Sequence, residues 1–300
     1  MKPPFDIPRR LVAPLRILYD AYVHFSLHDG FAIASHIALS TLISMFPFLI
    51  FLTALAGFLH SQDLADAAAR SLFDTWPVQV AGPVTKEIHN VLTQSHGDLL
   101  TLGIGLSVYF SSNGVEALRV GLNRAYARQE YRPWWQTRLE SIAFVVFGAL
   151  AALALGFLVV LAPLLWHKTV ELVPLLAPLH NVVTVTRFAL AGLVTIVALV
   201  LLHACLPAAR LKIRDLAAGI ALTFVLWIGS AYVFGAYLAT FARNYTNTYA
   251  GLASVMIALG FLYMIGAIFI FGGEFNAAVL RARQRRTADP APLVAAEEVR

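Results

Sequence analysis

The chain is short of charge. Only 13% of its 300 residues are Asp, Glu, Lys or Arg, against about 25% in an ordinary soluble domain. That scarcity excludes a water-soluble globule of normal surface. Cysteine is nearly absent: Cys205 stands alone, which excludes an intrachain disulfide and a cysteine metal cluster. No GxGxxG and no P-loop is present, so neither a dinucleotide nor an ATP site is signalled. The histidines are scattered and lack the paired His/Asp spacing of a two-metal hydrolase. What the chain does have is apolar residues, 59% of the total, with a mean hydropathy of +0.73.

These residues gather into six runs long enough to span a bilayer: 31–59, 98–118, 140–166, 182–206, 213–240 and 248–274. The second is the weakest, because Ser111–Glu116 interrupts it. The expected fold is all-α, a polytopic membrane protein built as a bundle of six transmembrane helices. Residues 1–30 read as a cytoplasmic interfacial helix, since Leu15–Asp29 mixes apolar, aromatic and polar residues at helical spacing. Residues 31–280 read as the transmembrane domain, with an extracytoplasmic helical segment over 61–97. Residues 281–300 read as a flexible cytoplasmic tail. Prolines at 163, 174 and 178 predict a broken element between the third and fourth spans.

The distribution of charge sets the topology. Seventeen of the 22 basic residues precede span 1, lie between spans 2 and 3 or 4 and 5, or follow span 6. The positive-inside rule then puts both termini in the cytoplasm, as an even number of spans also requires. The first 30 residues hold no compact apolar core with a small-residue cleavage site, so span 1 is expected to act as an uncleaved anchor. The net charge of +5 is therefore a topology signal and an attraction to anionic lipid headgroups, and no nucleic-acid partner is expected.

Polar residues inside the apolar runs are the candidates for function. In span 1, Asp29, His36, Ser40, Ser44 and Pro47 fall within about 80° of one helical face. Lipid does not reward such a stripe, so it is expected to face other helices or a water-filled cavity. His36 would titrate near neutral pH there. Ser40 and Ser44 would permit close packing or line a path, and Pro47 would kink the helix.

At the end of span 2, Tyr109, Asn113, Glu116, Arg119 and Asn123 share one side, and Glu116 and Arg119 are spaced to pair. That pair reads as a gate, a headgroup site or an ion pair orienting the helix. Asn247 or Thr248 would cap span 6 or form an outer gate. Glu274 follows Gly272–Gly273 and is expected to pair with Arg119 or Arg124 across the bundle. His203 is expected at the interface.

The path or gate residues are thus Asp29, His36, Ser40, Ser44, Asn113, Glu116, Arg119, Asn247 and Glu274. His24 and His28, four apart beside Asp29, form half a metal site that no second cluster completes. No metal, no cofactor and no catalytic residue is expected.

Three ordered blocks carry a family resemblance: DG…ASHIALSTLISMFPFL in span 1, NGVEALRVGLNRAYARQEYRPWW after span 2, and NTYAGLASVMIALGFLYMIGAIFIFGGEFNA in span 6. Over roughly 20–280 the chain resembles the YihY/BrkB family of bacterial inner-membrane proteins. The resemblance implies a six-helix, multi-pass protein of the bacterial inner (plasma) membrane. It also brings an older family label, ribonuclease BN, which the residues oppose by offering no metal or general-base cluster outside the membrane.

The functional expectation is a transport-type, non-enzymatic protein that moves or helps move an amphipathic or anionic molecule of lipid-like character. The alternative is a non-transport envelope scaffold or assembly factor docking through Ser61–Gly97, and an RNA-cleaving enzyme comes last. Membrane lipids and a small-molecule or lipid-like substrate are the expected partners, with a homo-oligomer left open.

Overall fold

The computed structural model describes residues 9–58, 97–208, 211–249 and 253–288. Every regular element among them is helical, as the composition predicts. In chain order these are α1 (Arg9–Leu27), α2 (Gly30–Phe58), α3 (Gly97–Ala125), α4 (Trp134–Gly156), a π-helical turn (Phe157–Leu161), α5 (Ala162–Leu172), a 3-10 turn (Pro174–Leu179), α6 (His180–Cys205), α7 (Ile213–Tyr249) and α8 (Ala253–Ala288). The outer segment expected over 61–97 lies outside the described residues, apart from the first residue of α3.

Five stretches are long and apolar enough to cross a membrane: Gly30–Leu52, Trp134–Leu172, Pro174–Cys205, Ile213–Leu238 and Val255–Arg285. The remaining expected span is α3, which has the length, 29 residues, but is diluted by Ser111, Ser112, Asn113 and Glu116. It packs more extensively on α2 than any other pair of elements pack on each other, so it belongs to the bundle. A helix this polar is stable among apolar neighbours only if its polar side chains find partners inside the protein. α8 touches α7, α2, α1 and α3 and is the central rod.

Three boundaries differ from expectation, each for a local reason. α7 runs on to Tyr249, past the expected end at 240, because no Pro or Gly stops it there. Asn247 therefore lies in the last turn of α7 rather than capping the last span, which begins at Ala253; its side chain is outside the described residues. α8 stays helical through Arg281, Arg283 and Arg285 to Ala288, since Arg, Gln and Ala are good helix formers. The third span is one continuous helical rod, Trp134–Leu172, rather than a helix and a loop. Pro163 cannot donate to the preceding turn, and the π turn just before it absorbs that missing bond. Pro174 and Pro178 sit in the 3-10 turn that leads into α6.

The main apolar core gathers Phe25, Ile33, Ile37, Leu122, Leu216, Ile220, Phe269 and Ile270 from α1, α2, α3, α7 and α8. A second cluster, Leu49, Phe51, Leu52, Val145 and Ala149, joins α2 to α4. Where α7 crosses α8 their backbones touch. A Cβ on Gly219 would fall on the carbonyl oxygen of Gly272, and a Cβ on Gly272 on the hydroxyl of Thr223. The corner between α1 and α2 is made by Asp29 at φ 55, a left-handed conformation that Asp tolerates better than most residues.

Candidate functional site

The basic segments meet at one end of the bundle and are tied to each other there. Arg124 of α3 donates to Asp29 at 3.0 Å, Arg281 of α8 to Asp20 of α1 at 2.9 Å, and Arg283 to Asp215 of α7 at 2.7 Å. Arg132, in the α3–α4 loop, reaches the Leu206 carbonyl at the end of α6 at 2.9 Å.

Glu130 is the centre of this end. After α3 the chain reverses at Ala127, φ 51, with the Ala127 N–H on the Arg124 carbonyl and the Arg128 N–H on the Asn123 carbonyl. That reversal lays Glu130 back over the end of its own helix. Its Oε2 accepts from Arg119 Nη1 at 2.7 Å, Arg132 Nη2 at 2.9 Å and Asn123 Nδ2 at 3.0 Å. Its Oε1 accepts from Arg132 Nε at 2.8 Å and from the Arg132 backbone N–H at 3.2 Å.

The network extends in both directions. Arg119 also pairs with Glu116, whose other oxygen accepts from Ser141 of α4 at 2.8 Å. Arg132 donates to Glu140 at 2.6 Å, and Asn123 accepts the Ala208 N–H at 2.7 Å. The hydrogen bonds from Arg132 hold the Glu130 carboxyl far below the ordinary carboxylate range, outweighing the burial that would raise it, with Arg119 and Asn123 adding to the effect. The same contact with Glu130 holds Arg132 charged more firmly than usual.

The depressed carboxyl fixes a pH dependence. A group whose folded value lies below its unfolded one stabilises the fold above the unfolded value, about 4.3 for Glu, and loses that stabilisation as pH falls further. The melting temperature of the purified protein in detergent is expected to exceed that of Glu130→Gln at pH 7, with the gap narrowing from about pH 5 downward. A gap that stays constant to pH 3 would contradict the assignment.

A second buried carboxylate sits on α8. Glu274 is wholly buried; its Oε1 lies 2.5 Å from His28 Nδ1, and its Oε2 has no partner among the described residues. Two residues further on, about half a turn round the same helix, Asn276 meets the α7 crossing, where its side-chain oxygen accepts the Gly219 N–H at 2.6 Å and its amide donates to the Tyr126 hydroxyl at 3.3 Å. Burial pushes the Tyr126 phenol above its ordinary range, against the opposing pull of that Asn276 hydrogen bond.

The sequence-predicted residues divide. Glu116 and Arg119 pair as their spacing predicts. Glu274 does not pair with Arg119 or Arg124: α1 lies across the end of α8 and delivers His28, while Arg119 is drawn to the loop and Arg124 to Asp29. The stripe on α2 does not face the interior as a unit. Ser44 is buried and donates to the Phe110 carbonyl at 3.4 Å, and Ser40 is half-buried. His36 is exposed on the outer face with Leu39, Ile43 and Phe46, and Asp29 is exposed at the corner.

The inward face of α2, through Ile33, Ile37 and Ser44, is turned about 60–80° from Asp29 and His36, so the stripe straddles its edge. Asn113 is exposed and accepts from Arg138 at 2.9 Å. His203 is not interfacial: it is fully buried, with Nδ1 on the Leu199 carbonyl at 3.0 Å and its ring edge-on to Phe269 at 4.6 Å. His24 binds its own helix through the Asp20 carbonyl, and no group of three metal-ligating side chains occurs among the described residues. Sequence reasoning missed Glu130, Arg132, Glu140, Ser141 and Asn276. The one signal the sequence holds is the alternation of Glu and Arg through ARQEYRPWWQTRLES.

Apolar rods of membrane length, gathered about α8 with a polar α3 among them and clamped by charge at one end, define a polytopic α-helical integral membrane protein. Residues 21–296 match the family described as Virulence factor BrkB, and the chain belongs to that family. YfkH of Bacillus subtilis (strain 168), named only for a likeness to ribonucleases, is 26% identical over 276 residues, covering 92% of this chain and 99% of its own. A UPF0761 membrane protein of Rhodospirillum centenum (strain ATCC 51521 / SW) is 28% identical over 303 residues. That alignment covers 98% of this chain, which spans 64% of that relative's length. No solved structure matches the chain.

Proposed function

We propose that this protein moves, or helps move, an amphipathic or anionic molecule of lipid-like character across the bacterial inner membrane, without enzymatic chemistry. One observation carries the reading: the polar line buried along α3. Ser107, Ser111, Ser112, Arg119 and Asn123 are all buried, Glu116 is half-buried beside them, and Ser44 of α2 with Thr137 and Ser141 of α4 add to the buried polar groups of this region. From Ser107 to Asn123 the line covers about 24 Å of helix rise, running from inside the expected span into the clamped end. Polar groups at that depth are costly, and they are kept where they serve a passage.

In this reading the clamped end is cytoplasmic, because its loops carry the arginines, and both termini lie on that side. Asp29 and Asn113 mark the mouth, Ser40 and Ser44 the middle, and Glu116, Arg119 and Glu274 the gate, with Asn247 toward the outer side and His36 on the membrane-facing flank. No ATP-binding motif is present in the sequence, so an ion gradient, the membrane potential or the substrate's own gradient would drive movement.

The test is flux of a fluorescent phospholipid and of a small organic anion in liposomes holding Glu116→Gln or Glu274→Gln at equal, folded incorporation. Each is expected to slow flux about tenfold, the loss of roughly one charge-assisted hydrogen bond. Unchanged flux in both variants would defeat the reading.

A second reading has an observation of its own. The Glu130 clamp satisfies itself through Arg119, Asn123 and Arg132 and calls for no ligand, as a structural fastener would. An envelope scaffold docking through Ser61–Gly97 would keep its co-purifying partner in both Gln variants and lose it when that segment is deleted.

A further inference from the structure

Five arginines of the clamped end have carboxylates, and Arg138, which has none among the described residues, is just as firmly placed. Arg119, Arg124, Arg132, Arg281 and Arg283 each meet an Asp or Glu. Arg138, in the first turns of α4, is held instead by neutral groups of α3. Its Nη1 donates to the Ser112 hydroxyl at 2.8 Å and to the Asn113 side-chain oxygen at 2.9 Å, and its guanidinium lies 4.2 Å from the centre of the Tyr109 ring. No carboxylate among the described residues pairs with it. Two hydrogen bonds and a ring face fix this cation and leave its full charge in place, with the Nε–Nη2 edge unoccupied by any described hydrogen-bond partner.

Its surroundings say what the charge is for. Asn113 and Tyr109 are exposed on the outside of the bundle, and around Arg138 on α4 the exposed side chains are Trp134 (76%), Trp135 (59%) and Leu139 (62%). Tryptophan and tyrosine beside an arginine, at the start of an apolar span, mark the level of the lipid headgroups. An uncompensated guanidinium at that level faces the phosphates of the bilayer itself. Its free edge presents two parallel N–H donors, the fork that suits phosphate oxygens.

We infer that Arg138, seated on Tyr109, Ser112 and Asn113, is a binding site for the phosphate of an anionic phospholipid at the outer surface of the α3–α4 corner. Trp134 and Trp135, one turn before Arg138, flank the headgroup at the same interface. The site shares Ser112 with the buried line along α3 but opens on the outside of the bundle, and it stands whether or not that line conducts anything.

Quenching of tryptophan fluorescence by brominated lipid tests it on the full chain in vesicles, comparing dibrominated phosphatidylglycerol with dibrominated phosphatidylcholine. The wild type is expected to favour the anionic lipid. Arg138→Gln is expected to lower that preference about fivefold, the worth of about one basic residue at a charged surface. Arg138→Lys, which keeps charge and loses the fork, falls between them. Arg128→Gln removes an exposed arginine of the α3–α4 loop and keeps the wild-type preference.

Three outcomes overturn the proposal: an unchanged preference in Arg138→Gln, an equal loss in Arg128→Gln, which would mean diffuse charge, or displacement of the lipid by millimolar inorganic phosphate, which would mean a site for the free anion. If Arg138→Gln does not fold, Tyr109→Leu removes only the stacking face, and an unchanged preference there is equally fatal.

Discussion

Gly219→Leu is expected to leave no folded protein in detergent, while Gly229→Leu on the same helix behaves as wild type. The difference lies in what the new side chain meets. At Gly219 even the first carbon would collide with the Gly272 carbonyl oxygen and the Asn276 side chain, both belonging to α8. Backbone atoms of a packed helix cannot rotate aside, so α7 and α8 would have to separate. That separation would also break the bond from the Gly219 N–H to Asn276 and strand the Asn276 amide beside Tyr126. Overpacking costs about 1–3 kcal/mol where side chains can move and more where they cannot; here the total is expected above about 3 kcal/mol. At Gly229 nothing lies within 4 Å of the new carbon. Size-exclusion profiles and thermal unfolding of the two variants decide it. A monodisperse Gly219→Leu melting with the wild type would show that the two backbones are not in contact.

Glu130→Ala is expected to cost about 3 kcal/mol, the low end of the range for breaking a buried ion pair, because the carboxylate is 23% exposed and water recovers part of the loss. The penalty comes less from the bonds lost than from what remains. Arg119 keeps only Glu116, and Arg132 keeps Glu140 and the Leu206 carbonyl, so two guanidinium groups lose the acceptor they share. Arg119 is 8% exposed, so water cannot replace that acceptor well. A second substitution, Arg119→Met, is expected to recover part of the stability by removing the stranded charge, which is the signature of coupling rather than of independent contacts. Thermal melts of the wild type, the two single variants and the double variant measure this. Strict additivity would mean that Glu130 does not organise this end.

The helices were legible because lipid-length apolar runs have few other readings. The Glu116–Arg119 pair was legible too, since three-residue spacing on one helix is a local fact. The partners of Glu130 were not, because they depend on a chain reversal at Ala127, where no glycine announces a left-handed residue. Glu274 was found, but its partner was misassigned: which of several cations reaches a buried carboxylate depends on how α1 crosses α8, and no periodicity encodes a crossing. The stripe on α2 failed for a different reason. That helix is apolar nearly all round, so its few polar residues could not show which edge turns inward, and His36 fell on the outer side of the boundary.

The ion pairs described above all lie at one end of the molecule, where they join α1, α3, the α3–α4 loop, α7 and α8. A set of rods whose described ion pairs gather at the base has the mechanics of tongs. A small rotation at the fulcrum becomes a wide excursion at the tips, by the ratio of rod length to clamp depth. The π turn ahead of Pro163 adds a joint partway along one arm, so the portion beyond it, α5, can lean without levering the base apart.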